Sequence, residues 1–117
     1  MKLQIVHITD RGLPNQERVQ LSTLQEVNLA HYVALLTRYL TPAGVANGNL
    51  SAFWFPSTLV KPGDQIVLYS GSGTRTSKVE TNGSSTHLFY WGLPNVVWAD
   101  PSSCVVLIEG GNWVTSQ

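Results

Sequence analysis

Short segments in which apolar residues recur at every second position run through much of this chain, and they predict β-strands. In the segment 65–70, Ile66 and Leu68 lie on one side of an extended backbone, and further apolar or aromatic residues lie between them on the other. The segment 104–109 shows the same two-sided pattern. Because strands that are apolar on both faces are typical of the centre of a sheet, both segments are predicted as central strands.

Turn-forming residues separate these segments in the C-terminal half at intervals of about ten residues. Proline presets the second position of a turn, and glycine or asparagine accepts a positive φ there. Turns are predicted at Lys61–Asp64, Gly71–Gly73, Asn82–Gly83, Gly92–Asn95, Asp100–Ser102 and Gly110–Asn112. Short strands between regularly spaced turns indicate an all-β sandwich or barrel.

Three further elements follow from the same signals. Strands are predicted at Leu3–Ile8 and at Glu17–Ser22, on either side of a turn at Gly12–Asn15. Gly110–Gly111 is predicted to close a hairpin onto a last strand at Asn112–Thr115, which contains Trp113.

The segment Leu24–Leu40 is ambiguous by pattern alone. One face of a helix would collect several of its apolar residues, but Tyr32, Val33 and Tyr39 favour strands. Periodicity does not decide between helix and strand in a segment that is apolar on every side. The following segment, Thr41–Asn49, is predicted as the longest loop.

Length and charge bound the classes of function. A chain of 117 residues predicts one domain, spanning residues 1–117. Charged residues make up only 12% of it, and seven basic residues balance seven acidic ones. Because the basic residues are spread singly, the chain lacks the basic stripe of a nucleic-acid binder. A surface with so little charge is poorly defended against association, which favours a protein partner or self-association.

Cysteine usage and hydrophobic segments indicate the compartment. Cys104 is the single cysteine, which excludes an intramolecular disulfide and a cysteine-based metal site. A lone free cysteine fits a reducing compartment. The N-terminal apolar run is too short and too polar for a signal peptide, and no segment reaches the length of a membrane span. These features predict a cytoplasmic protein that does not bind membranes.

The order of several motifs is similar to that of a known family. The segments Glu17–Leu21, Val27–Tyr32, Phe55–Pro56 and Val60–Tyr69 resemble the lamin tail domain, which commonly reads E-x-V-x-L, v-x-L-x-x-W-x-L and F-P-x-x-x-L-x-P-G. Tyr90–Gly92, Trp98, Val105–Ile108 and Trp113 resemble its last strands. Tyr32 stands where the family usually has tryptophan.

The resemblance covers roughly Ile5–Thr115 and implies an immunoglobulin-like antiparallel β-sandwich. It favours the extended alternative for Leu24–Leu40. It also implies that Phe53 and Phe55 belong to the core and that Lys61–Asp64 is a hairpin turn. In lamins the domain serves interactions, and in bacteria it occurs alone or attached to other domains; this chain resembles the stand-alone bacterial type. The resemblance supplies no catalytic residues.

An aromatic cluster is the best candidate for ligand binding. Exposed tryptophan and tyrosine supply contact energy in carbohydrate and protein sites. The alternative interpretation is that Trp91 and Trp98 fill the core, and exposure of the tryptophans distinguishes the two. Arg75 lies in a flexible Gly-Ser-rich loop, where it is a weak candidate to contact an anion. The predicted binding residues are His87, Tyr90, Trp91, Trp98 and Arg75.

Catalysis has the least support in the sequence. Gly71–Gly73 lacks the frame of a nucleophile elbow, and the three histidines are far apart in the chain. No His-x-His or His-x-x-x-His pair indicates a metal site. We therefore predict no catalytic residues, no metal and no cofactor. The predicted function is a non-catalytic protein-interaction or scaffolding module, with carbohydrate or small-ligand binding as the alternative.

Overall fold

The computed structural model describes residues 1–40, 44–45 and 51–116, and its regular structure is almost entirely β. A single 3₁₀ turn at Leu29–His31 is the exception among these residues. The strands are β1 (Leu3–Thr9), β2 (Arg18–Thr23), β3 (Val27–Asn28), β4 (Tyr32–Arg38), β5 (Ser51–Trp54), β6 (Leu59–Val60), β7 (Gln65–Tyr69), β8 (Thr76–Val79), β9 (Ser85–Tyr90) and β10 (Ser103–Glu109).

Two sheets and a short ribbon form the sandwich. The large sheet has five strands in the order β1-β2-β7-β9-β8, and the small sheet has three in the order β10-β4-β5. Strands β3 and β6 form the ribbon. The all-β sandwich predicted from the sequence is confirmed, as are the first two strands and the central position of the strand at 65–70.

The prediction that every strand pair is antiparallel is wrong at one place. Strands β7 and β9 pair in parallel in the middle of the large sheet. Strand β8 lies between them in the sequence but takes the edge position and pairs antiparallel with β9. The chain therefore enters β9 in the same direction as β7, and the large sheet is mixed.

The core lies between the inner faces of the two sheets. Phe55 and Phe89 are almost fully buried, and their rings meet edge to face with centroids 5.3 Å apart. Phe53 packs against the same cluster, 5.1 Å from Phe55. The expectation that Phe53 and Phe55 belong to the core is therefore confirmed. Other large members of the cluster are Leu3, Leu21, Leu29, Tyr32, Ile66, Leu68 and Trp98.

Two segments can now be compared with the sequence prediction: 24–40, which was ambiguous, and the turn at Lys61–Asp64. The segment 24–40 is mainly extended, apart from the 3₁₀ turn, which Asn28 caps by accepting a hydrogen bond from the N–H of Ala30 at 2.9 Å. Lys61–Asp64 is a turn, in which the N–H of Asp64 donates to the carbonyl of Lys61 at 2.9 Å. It is not a hairpin, because it joins β6 in the ribbon to β7 in the large sheet.

The C-terminal part departs most from the sequence prediction. Strand β10 lies at an edge of the small sheet and not at a sheet centre. The two-sided apolar pattern shows that both faces of β10 carry apolar side chains. It does not show how many strands pair with β10. The predicted strand at Asn112–Thr115 does not form, and Trp113 instead packs on Trp54. The predicted loop Thr41–Asn49 lies outside the described residues except for positions 44 and 45.

Candidate functional site

The outward side of the small sheet is an apolar surface. Its register aligns Ile108, Val33 and Trp54 in one row across the three strands. Val106, Leu35 and Ala52 form the next row. We call these six residues the apolar face. None of the six belongs to the core cluster or to the partly buried residues that pack against it.

The apolar face arises from the alternation in β4 and β10. Tyr32 and Ala34 in β4 are buried against the core, whereas the neighbouring Val33 is only half-buried. In β5 and β10, Trp54 is 53% exposed and Ile108 is 45% exposed. Each strand thus carries apolar residues on its inner side for the core and on its outer side as well. A contiguous exposed apolar patch is a mark of an interaction site.

Two tryptophans bound a cavity at one end of the apolar face. The Trp54 and Trp113 rings meet edge to face with centroids 5.5 Å apart. The Trp54 indole N–H donates to the carbonyl of Ala30 at 2.8 Å, which fixes the orientation of its ring. Both indoles line a cavity with a volume of about 200 Å³, and Val33 and Ile108 also line it. Its lining is mainly apolar, so it suits an apolar or aromatic group.

The structure does not gather the five predicted binding residues into one surface. Trp98 is fully buried, and Trp91 is half-buried against it with ring centroids 6.3 Å apart. The Trp91 indole N–H donates to the hydroxyl of Ser51 at 3.1 Å. Trp98 belongs to the core, and Trp91 packs against the core from its edge. Trp98 therefore offers no surface to a ligand.

Tyr90 lies on the outer side of the large sheet, on the opposite side of β9 from the buried His87. Its ring stacks on Tyr69 with centroids 5.0 Å apart and an interplanar angle of 10°. The backbone of Gly73 packs so closely on the ring that an added Cβ would come within 2.4 Å of it. Tyr90 therefore has little free ring surface with which to stack on a sugar.

Arg75 is held by neighbouring groups. Its guanidinium donates to the hydroxyl of Thr58 at 2.6 Å and to the carbonyl of Ser57 at 3.4 Å. It also lies 5.5 Å from the centroid of the Phe89 ring. Through these contacts the Arg75 side chain covers one end of the core, while the residue remains exposed at the surface.

A serine of β8, a histidine of β9 and an aspartate of the 61–64 turn form a chain of hydrogen bonds. Ser77 Oγ lies 2.7 Å from His87 Nδ1, and His87 Nε2 lies 3.4 Å from Asp64 Oδ2. The same three groups activate a serine nucleophile in hydrolases, where serine contacts Nε2 and aspartate contacts Nδ1. Here the two ring nitrogens are exchanged. Asp64 also accepts backbone N–H groups of Lys61 and Ser85, at 3.0 and 2.9 Å.

The surroundings of these three residues indicate a structural role. Ser77 lies on an extended edge strand and not on a strained turn. Burial alone would raise the pKa of Asp64, but the hydrogen bonds from Ser85, Lys61 and His87 outweigh it and lower that pKa. Asp64 is therefore held as a carboxylate that joins the 61–64 turn to β9.

Glu17 is a second buried carboxylate, 1% exposed, at the other end of the large sheet. It accepts the backbone N–H groups of Gly12, Val97 and Trp98 at 2.8–3.1 Å. The hydroxyl of Ser70 donates to it at 2.5 Å. Burial would raise the pKa of Glu17, but these hydrogen bonds outweigh burial and lower it. Its role is to fix two loops against β7.

The tryptophans predicted to bind a ligand are not the ones that are most exposed. The exposed ones are Trp54 and Trp113, and the alternation Phe53-Trp54-Phe55 already carried the signal for the first. Two phenylalanines on the core side place the residue between them on the outer side. No comparable signal marked Trp113, because its position depends on where the chain turns after β10.

In comparisons with known proteins, no protein-family model, no curated protein and no solved structure matched this chain. Within residues 1–40, 44–45 and 51–116, no helix is long and apolar enough to cross a bilayer. Over the same residues, no group of three or more His, Cys, Asp or Glu side chains is arranged to hold a metal ion.

Proposed function

We propose that this protein is a non-catalytic interaction module that binds a protein partner through the apolar face. The observation that carries the proposal is the two-row alignment of Val33, Leu35, Ala52, Trp54, Val106 and Ile108 on the outward side of the small sheet. Because all six side chains are uncharged and apolar, the expected partner surface is apolar rather than a nucleic acid or another polyanion.

The proposal includes the family and the compartment. The motif order described above supports a lamin-tail-like module, a type of domain that serves interactions in lamins. A half-buried free thiol at Cys104 supports a reducing compartment, and the cytoplasm is proposed on that ground. Burial raises the pKa of Cys104, which keeps the thiol protonated and unreactive near neutral pH.

A pair of matched variants tests the use of the apolar face. Leu35→Lys places a charge in the centre of the face, whereas Leu24→Lys changes an exposed leucine elsewhere on the surface. We expect Leu35→Lys to lower binding of the apolar dye ANS several-fold and to abolish retention of partners that wild type retains. Leu24→Lys should behave as wild type in both assays. Equal dye binding and equal retention by all three proteins would refute the proposal.

Small-ligand binding is a second candidate, favoured by the cavity that Trp54 and Trp113 line rather than by the cluster predicted from the sequence. Titration with a panel of glycans and small aromatic compounds should change tryptophan fluorescence in wild type and not in Trp113→Ala. A response that survives in Trp113→Ala would place binding elsewhere, and no response to any compound would remove this candidate.

A further inference from the structure

The four edges of the two sheets differ in how they resist pairing with another chain. Strand β1 has a register shift between Ile5 and His7, β8 is four residues long with Lys78 in it, and β5 is also four residues long. Bulges, lysines and short length are the usual protections of edge strands. Strand β10 is seven residues long, pairs with β4 without a register shift and contains no proline or lysine.

The hydrogen-bonding pattern shows which groups of β10 face outward. The N–H of Tyr39 donates to Ser102, and the N–H of Gly110 donates to His31, at 2.8 and 2.7 Å. Antiparallel pairs alternate, so the backbone groups of the even-numbered residues of β10 face β4. Those of Val105 and Leu107 face away from it. In the part of the chain that the structure describes, no strand pairs with this side of β10.

The two ends of β10 differ in charge. Arg38 and Arg11 outnumber Asp100 at the Ser103 end, whereas Glu109 lies near Lys2 at the other end. Glu109 ends the strand. At the other end, Ser103 lies opposite Arg38 of β4, and its carbonyl accepts a hydrogen bond from the Arg11 guanidinium at 3.0 Å. An antiparallel neighbour of the same sequence brings its Glu109 to the end with Arg38 and Arg11, whereas a parallel neighbour brings the two Glu109 side chains together.

We propose that β10 pairs antiparallel with β10 of a second copy of this chain, about a two-fold axis at Val106. Val105 of one copy then lies opposite Leu107 of the other, and the outward backbone groups of both are satisfied. Glu109 comes next to Arg38 and Arg11 of the second copy. The two small sheets become one six-stranded sheet with a continuous apolar face.

This inference rests on the proposed function and gives a way in which the apolar face becomes larger. From strand spacing and rise per residue, the face of one copy covers about 200 Å². A stable interface buries about 800 Å² on each partner. Joining two copies edge to edge doubles the face to about 400 Å², which is half of that area instead of a quarter.

Charge variants at the axis test the pairing. Val106→Lys places two lysines opposite each other across the axis, and Val106→Glu does the same with two carboxylates; like charges opposite each other disfavour pairing. In light scattering over a concentration series, wild type should be a dimer and each variant a monomer. A mixture of the two variants should regain the dimer, because lysine then faces glutamate. Leu35→Lys, one strand inward, should remain a dimer.

Cross-linking gives a second readout. In the double variant Val106→Cys with Cys104→Ser, the two thiols lie on a non-hydrogen-bonded pair with Cα atoms about 4.5 Å apart, within the range of a disulfide. Mild oxidation should convert the dimer to a covalent one. Leu35→Cys with Cys104→Ser serves as the control, because its thiols lie about 14 Å apart, three strand spacings across the joined sheet.

The outcomes separate this inference from the proposed function. A monomeric wild type, or a cross-link that forms at position 35 and not at 106, overturns the edge pairing. Wild-type dye binding that Leu35→Lys abolishes would in that case still support the apolar face. Conversely, a dimer broken only at position 106, with dye binding and partner retention unaffected by Leu35→Lys, would support the pairing and refute the proposed function.

Discussion

The large sheet presents a mainly polar outer side to solvent, whereas the small sheet presents an apolar one. In β2, the half-buried Arg18, Gln20 and Ser22 alternate with buried Val19 and Leu21. In β4 the alternation continues, but Val33 and Leu35 take the outer positions. Alternation therefore describes both sheets equally well, and the two sheets differ in the chemistry of their outer positions.

The two sheets also differ in the hydrogen bonds that their buried polar side chains make. Glu17 and Asp64 each accept several hydrogen bonds and tie the ends of the large sheet to neighbouring turns. On the small sheet, Tyr32 donates to Glu109 at 3.1 Å, and burial together with this hydrogen bond raises the pKa of Tyr32 to about 12. We therefore expect substitutions near the large sheet and the core to change stability, and those on the apolar face to change association.

The largest expected effect comes from the core tryptophan. Trp98→Ala removes a fully buried side chain and should lower the free energy of unfolding by about 3–5 kcal/mol. A domain of this size has only about 5–15 kcal/mol in total. Trp54→Ala, on the apolar face, should cost much less. Urea unfolding followed by circular dichroism measures both, and similar costs would contradict the assignment of Trp98 to the core and Trp54 to the surface.

Removal of the buried carboxylate should have the next largest effect. Glu17→Ala leaves the N–H groups of Gly12, Val97 and Trp98 without their acceptor, and the expected loss of unfolding free energy is about 3 kcal/mol. Glu26→Ala, at an exposed position, should change it by less than about 0.5 kcal/mol. Equal effects of the two substitutions in urea unfolding would show that Glu17 does not anchor the loops.

Acid should destabilise the protein through the same two carboxylates. The pKa values of Glu17 and Asp64 in the folded state lie below their ordinary values of 4.5 and 3.8. Because the unfolded chain binds protons more readily, this stability is fully present above pH 5 and is lost as the pH falls through 4.5 and below. Thermal unfolding between pH 7 and pH 3 should show a fall in Tm that is smaller in Glu17→Gln. An equal fall in both proteins would assign the acid sensitivity elsewhere.

The smallest effects should come from replacing valine by the isosteric threonine at two positions. Val19→Thr buries a hydroxyl in the core, where Val19 is 0% exposed, and should cost about 2 kcal/mol. Val33→Thr places the same hydroxyl at the half-buried apolar face and should cost less than about 1 kcal/mol. Unfolding in urea measures the two costs. A larger cost for Val33→Thr would mean that the apolar face is packed within the chain itself.

Much of the local structure could be predicted from the sequence. The period of two, the β-forming residues and the Pro-Gly turn at 61–64 indicated strands and their boundaries, since side chains on a strand alternate by geometry. The same geometry placed Phe53 and Phe55 on the core side. The alternation at Trp54 also placed this residue on the outer side, but nothing in the pattern showed that the outer side of β4 and β10 would be exposed among the described residues.

Other features depend on contacts between distant segments. Glu17 is bound by N–H groups 80 and 81 residues away, and the Ser77–His87–Asp64 chain forms only because β7, β8 and β9 meet in the large sheet. Whether Trp98 filled the core or faced solvent could not be read from its neighbours in the chain.

By itself, the sequence determined that this chain forms short alternating strands separated by turns, because backbone geometry and side-chain propensity act locally. Only the tertiary structure decided the order of those strands. That order placed β10 at an edge, made β7 and β9 parallel, and left Val33, Leu35, Val106 and Ile108 facing outward. The physical reason is that a strand's alternation defines its two faces, whereas its lateral neighbours are chosen by long-range pairing.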